Sequence, residues 1–294
     1  MNASFDIVGI KQVPFCEPVQ KRKWYQGKPV FSAVLLFLIT AGCLACNLIT
    51  TKDPAYMDLN SFNLPPNRKF LFGTDTMGRD IFSMIWFGGR ISLLIGIIST
   101  IISTFIAILI GAFSGNAPKW ADTLLMRLTE ILLSVPNLLL VLLIQAILGK
   151  ANVFSISLVI GITSWMSIAK VVRMEVRQLR SSEYVIATKC MGGSFFYILW
   201  RHLTPNFISS IMFMVIMNIR NAIIAESTLS FMGIGLPIEV ISWGSMLSLS
   251  EKALLTNSWW IILIPGGFLL GTLLCITSLG NHLRKNVNQR NSNL

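Results

Sequence analysis

The stretch Lys170–Asn206, KVVRMEVRQLRSSEYVIATKCMGGSFFYILWRHLTPN, is a polar interruption between two apolar runs. It holds six Lys or Arg (Lys170, Arg173, Arg177, Arg180, Lys189 and Arg201) against two acids, Glu175 and Glu183. A basic loop between membrane-length helices is expected on the cytoplasmic side, because Lys and Arg are retained there during insertion. The loop also carries helix punctuation. Ser181 and Ser182 are placed to cap a helix starting near Glu183, with that acid at the positive end of the helix dipole. Gly192-Gly193 permits a break, and Ser194 is placed to cap a second short helix running to Thr204-Pro205. Two short helices jointed at a glycine suit docking into another protein's groove.

Working outward, the chain is too apolar for a soluble fold. Of its 294 residues only 13% are charged, and the mean hydropathy is +0.67, whereas soluble domains are about a quarter charged. The net charge of +11 would ordinarily raise nucleic acid as a partner. Its distribution argues against that: the segments expected inside hold 16 Lys/Arg and 6 acids, those expected outside 7 and 6. The excess is topological. Five scattered cysteines make no disulfide framework, and Cys43 with Cys46 reads as small packing residues on an apolar helix. His202 and His282 are too far apart in sequence to suggest a metal centre.

The apolar runs predict an all-α integral membrane protein of six spans. A polar, basic segment at 1–29 precedes a first helix at 30–50, which is longer than a signal-peptide core and is read as retained. An extracytoplasmic loop follows at 51–90, where Asp80 is placed to cap an amphipathic stretch, Ile81, Met84, Ile85 and Trp86 forming an interfacial face. A core of five further helices covers 91–282, with the basic loop at 173–206 inside it and a cytoplasmic tail at 283–294. The spans are expected at about 91–112, 124–148, 153–168, 207–231 and 259–279. Pro136 should kink the third. Gly111 with Gly115, and Gly267 with Gly271, have the spacing that lets helices approach closely. Arg127 and Glu130 read as an ion pair near a helix end. Arg220 and Glu226 are the deeply placed ionisable residues. They either line a path or make helix–helix hydrogen bonds.

Several stretches resemble the permease subunits of ATP-binding cassette importers of the dipeptide/oligopeptide/nickel class. The superfamily loop pattern, Glu-Ala-Ala then Gly then Leu-Pro, aligns with Ile186-Ala187-Thr188, Gly192 and Thr204-Pro205. Ala187, Gly192 and Pro205 match; Ile186, Thr188 and Thr204 depart from it. GTDTMGRD (Gly73 to Asp80) with Gly88, Arg90 and Ser92, AESTLSFMGIGLP (Ala225 to Pro237), SWGSML (Ser242 to Leu247) and WWIILIPGG (Trp259 to Gly267) are similar to further segments of that class. Leu279-Gly280-Asn281 is similar to its Leu-Gly-Asp.

The resemblance implies a type I importer permease in a bacterial inner membrane, both termini cytoplasmic. It implies a second homologous permease, two cytoplasmic ATP-binding subunits and an extracytoplasmic binding protein. It further implies that Glu183, Ala187, Gly192 and Pro205 belong to the element that couples to the ATPase. The chain itself has no GxxxxGK[ST] phosphate loop, so ATP hydrolysis would fall to the partners and this subunit would not be an enzyme. Peptides are the expected cargo; nickel or a metal chelate is the alternative. An ion-gradient-driven transporter is the competing class, but inverted repeats and multiple intramembrane acids are missing from the sequence.

Overall fold

A computed structural model describes residues 29–292 except 51, 150, 238, 250–252 and 254–256. The segment expected at 1–29 lies outside these, apart from its last residue. Among the described residues are ten helices of six or more residues: α1 Val30–Leu44, α2 Ile81–Asn116, α3 Lys119–Ser134, α4 Asn137–Leu148, α5 Val153–Thr163, α6 Met166–Leu179, α7 Glu183–Cys190, α8 Thr204–Phe231, α9 Trp243–Ser248 and α10 Trp260–Ser292. No strand occurs among the described residues.

The axis of the molecule is α2. Its 36 residues extend about 54 Å at 1.5 Å per residue, well beyond the roughly 30 Å of a hydrocarbon core. Asp80 starts it, accepting from the Ser83 amide at 3.1 Å and the Ser83 hydroxyl at 2.7 Å. The expected interfacial stretch is therefore the first part of the second span. Ile81, Met84 and Ile85 are fully buried against Trp243, Trp260 and Cys43, because the loop before α2 and the segment around α9 fold over that face.

The loop owes its shape to a tight turn. The Asp75 carboxylate accepts from the amides of Met77 and Arg79, both at 2.8 Å, and from Arg79 Nε at 2.7 Å. Gly78 has φ +74°, and a Cβ there would lie 1.9 Å from the Asp58 carbonyl oxygen.

Close approach to α2 is made by small residues. A Cβ on Gly89 would meet Cys43 Sγ and Trp243, one on Gly111 would meet Val172, and one on Gly115 would meet Val176. Cys43 and Cys46 are buried and free, as packing residues should be. The Gly111/Gly115 spacing therefore seats α6, whereas Gly267 and Gly271 of α10 have no described atom within 4 Å of a built Cβ. Spacing marks a capacity for contact, and among the described residues no helix uses that face of α10.

Two of the expected spans are broken. Pro136 separates α3 from α4, which meet at 93°. Proline lacks an N–H and drives the preceding residue out of helical conformation; Val135 is extended, with ψ 130°. Two helices at that angle cannot both follow the bilayer normal, so the expected kink is a corner. The fourth span breaks after Thr163, and α5 and α6 meet at 47°. Here the Thr163 hydroxyl bonds back to the carbonyls of Val159 and Ile160, a competition that bends helices. Beyond the break α6 runs well past the expected end at 168, to Leu179. The last span is also longer than expected: α10 continues to Ser292.

Candidate coupling site

The basic stretch folds as two helical pieces joined at Gly192. In α7 only Val185 and Thr188 are buried, one turn apart on the same face. Val185 enters the core formed by α2, α6 and α8. The other face, with Glu183 and Ala187, is exposed.

The joint is a Schellman turn. Gly192 N–H donates to the Lys189 carbonyl and Gly193 N–H to the Thr188 carbonyl, each at 3.0 Å, and Gly192 has φ +82°. No described atom lies within 4 Å of a Cβ built there, so among the described residues glycine is required by backbone conformation and not by crowding. Gly193 is crowded instead, with Thr188 Cγ2 2.7 Å from a built Cβ.

The caps divide. Ser194 accepts from the Tyr197 amide at 3.3 Å, as expected. Ser182 occupies the cap position of α7, but its hydroxyl donates to the Leu179 carbonyl at 2.5 Å and caps nothing.

The second piece does not stop at Pro205. A turn at Phe195–Ile198 passes through a π turn at Leu199–Leu203 into α8, giving one helical run from Phe195 to Phe231. Pro205 follows directly on the π turn, whose wider backbone accommodates the proline ring and its missing N–H inside the run. Exposed Pro205 is thus inside a continuous rod, which joins the loop to the helix bearing Glu226.

A polar clamp ties this region to the far end of α2. Asp122 is buried at 3% exposure. It accepts from the Ser114 hydroxyl at 2.6 Å, from Arg173 through both Nε and a terminal nitrogen, and from Arg177. Arg180 donates to the Gly115 carbonyl at 3.2 Å and Lys189 to Asn116 Oδ1 at 3.3 Å. Four basic residues of the interruption therefore grip α2 or the start of α3. Asp122 is not singled out in the sequence reading. The available signal was a lone acid on an amphipathic helix, with Arg173 and Arg177 one turn apart on α6. By contrast Arg127 and Glu130 pair with each other at 3.3 Å on an exposed surface, as expected.

The outward surface of the stretch sets large apolar side chains among the exposed charges of Glu183, Lys189 and Arg201. Tyr184 (41%), Ile186 (48%), Met191 (80%), Phe196 (62%), Tyr197 (54%) and Trp200 (48%) are all substantially exposed. Such a cluster of aromatic and aliphatic side chains has the composition of an interaction surface.

Arg220 and Glu226 do not meet. Glu226 is fully enclosed and accepts from four hydroxyls: Ser242 at 2.7 Å, Ser230 at 2.9 Å, Ser92 at 3.1 Å and Ser227 at 3.4 Å. The Trp243 amide also donates to Ser92 Oγ at 3.2 Å, and the Trp243 indole to the Ile85 carbonyl at 3.0 Å. Trp260 Nε1 reaches the Thr74 carbonyl at 3.1 Å. Ser92, the Ala225–Pro237 stretch and the Ser242–Leu247 stretch thus meet at Glu226, and the Gly73–Asp80 and Trp259–Gly267 stretches are joined to each other through Trp260 and Thr74. Half-buried Arg220 bonds Asn221 Oδ1 at 3.0 Å and reaches Thr277 of α10 at 3.5 Å. Ser227 and Ser230 follow Glu226 on the same helix, but nothing in the sequence links Ser92 or Ser242 to it.

Comparison with known proteins places the chain in a family. Residues 107–289 match the family described as binding-protein-dependent transport system inner membrane component. The oligopeptide transport system permease protein OppC of Bacillus subtilis is 34% identical over 251 residues, covering 85% of this chain and 82% of that protein. The dipeptide transport system permease protein DppC of the same organism is 33% identical over 251 residues, 85% of this chain and 78% of that protein. A protein of Brucella suis biovar 1 is 36% identical over 256 residues, 87% of this chain and 84% of its own length.

Proposed function

We propose that this chain, which belongs to the family of binding-protein-dependent transport system inner membrane components, is one of two permease subunits of an ATP-driven peptide importer. It forms half of the translocation path beside a second, homologous permease. Two cytoplasmic ATP-binding subunits drive the cycle, and an extracytoplasmic binding protein delivers the cargo. The names of the Bacillus relatives, oligopeptide and dipeptide permeases, support the choice of cargo. The charge bias supports an orientation with the basic end and both termini inside, and the bacterial relatives support a bacterial plasma membrane.

The observation that carries the coupling role is the exposed apolar face around α7, set on a glycine joint. That face docks in a cleft of the ATP-binding subunit. Closure of two such subunits displaces α7. The displacement passes along two stiff routes: the unbroken rod Phe195–Phe231, and the Asp122 clamp onto α2 and α6. The bundle then moves as a packed body between inward- and outward-open arrangements.

The reading is tested in the assembled transporter. With Cys190 replaced by Ser, single cysteines at Ala187 and Met191 are expected to crosslink to the ATP-binding subunit. Uptake of a labelled alanine tetrapeptide is expected to require ATP on the coupling side and to persist with a proton uncoupler. Uptake by the purified chain alone, or uptake abolished by the uncoupler with ATP present, rejects it.

A further inference from the structure

We infer that the cleft between the two helix breaks and α8 holds the peptide in transit, recognising its backbone amides while tolerating varied side chains. This deepens the proposed function and rests on it.

The cleft, about 410 Å³, is lined at the α3–α4 corner, at the α5–α6 break and along the middle of α8. Not one of its lining residues is charged. Its polar groups are Asn137, Thr163, Ser164, Ser167, Asn218 and Asn221. Most of that hydrogen-bonding capacity is unspent. Asn218 Nδ2 donates to the Ser103 hydroxyl and Asn221 Oδ1 accepts from Arg220. That leaves Asn218 Oδ1 and Asn221 Nδ2 available, together with the Asn137 amide and the hydroxyls of Ser164 and Ser167. Neither α4 nor α6, which both begin at the cleft, has a side-chain cap on its first amides.

Free polar groups and interrupted backbone are costly against lipid. At membrane depth they are tolerated where they line water or meet a ligand. Broken helices mark substrate sites in other transporters for the same reason. The chemistry selects the ligand. Paired donors and acceptors without formal charge match the repeating N–H and C=O of a peptide. They offer no anionic ligand to a divalent metal. The apolar part of the lining includes Met166, Met214 and Met217. These flexible, polarisable side chains suit cargo of varied composition. Glu226 and Arg220, the ionisable groups of α8, stand outside the lining.

The test uses the complete transporter with its binding protein and a labelled alanine tetrapeptide. Asn221→Leu and Ser167→Ala alter exposed side chains and are expected to leave membrane abundance unchanged. In combination they are expected to slow uptake about tenfold, with the ATPase response to the binding protein retained. Separately, the Asn221→Cys variant is expected to react with a water-soluble maleimide, and peptide-loaded binding protein is expected to slow that reaction. Uptake within twofold of the parent in the double variant, or no maleimide reaction at position 221 in Asn221→Cys, overturns the cleft assignment. Failure of the parent transporter to move the peptide overturns the proposed function instead.

Discussion

Ser92 and Glu226 stand 134 positions apart in the chain and are joined by a 3.1 Å hydrogen bond at a fully buried site. The bond fastens α2 to α8, and Ser242 brings the start of α9 to the same carboxylate. Removing the carboxylate leaves four hydroxyls facing a void, whereas an amide keeps most of the partners. Glu226→Ala is expected to cost about 3 kcal/mol, seen as lower membrane abundance and a lower melting temperature. Glu226→Gln is expected to be milder on both. An abundant, thermally unchanged Glu226→Ala that fails to transport would instead make this residue part of the path.

Asp122 governs the other end of the bundle. It is the shared acceptor for Arg173, Arg177 and Ser114. Because the two arginines are partly exposed, water compensates some of the loss. Asp122→Ala is expected to cost about 2 kcal/mol and to loosen the segment carrying α7. Limited proteolysis should then cut near Ser181-Ser182 several times faster than in the parent, while the Glu226 end stays protected. Equal cleavage rates would mean that the clamp contributes nothing to holding the coupling element.

What was legible in the sequence was local. The Asp80 cap, the Gly192 joint and the Ser194 cap each depend on residues within three or four positions, and each is found where the spacing puts it. The apolar runs were readable as helices but not as unbroken spans: two of them break, and the first forms the shorter helix Val30–Leu44. What escaped was pairing at a distance. Nothing in the spacing of Ser92 and Ser242 announces Glu226 as a common partner. The angle at Pro136 was hidden for a related reason: proline dictates that the helix must yield, while packing decides by how much. Gly267 and Gly271 misled because small residues permit contact without naming the neighbour.

Gly192 offers a separation of backbone conformation from contact. A Cβ there meets nothing, yet φ is +82°, a conformation costing most L residues about 1–2 kcal/mol. Gly192→Asn, which tolerates that region, is expected to keep ATP hydrolysis coupled to uptake. Gly192→Val is expected to insert normally but hydrolyse ATP with little uptake, because the Schellman turn opens and α7 shifts. Simultaneous measurement of both rates in the assembled transporter decides it. Tight coupling in Gly192→Val would remove the joint from the mechanism.

The two glycine pairs make a final contrast. A side chain at Gly111 must displace Val172 and the Ala169 carbonyl, which lies 2.6 Å from a built Cβ, whereas Gly271 has open space around it. Overpacking a close helix contact costs about 1–3 kcal/mol. Gly111→Leu is therefore expected to lower abundance when the chain is expressed alone, because α2 and α6 cannot close. Gly271→Leu is expected to leave the isolated chain unaffected. If Gly271→Leu matters only when the remaining subunits are present, the open face of α10 is covered by one of them. If it destabilises the chain by itself, that face packs within the chain and the open space at Gly271 is closed in the membrane.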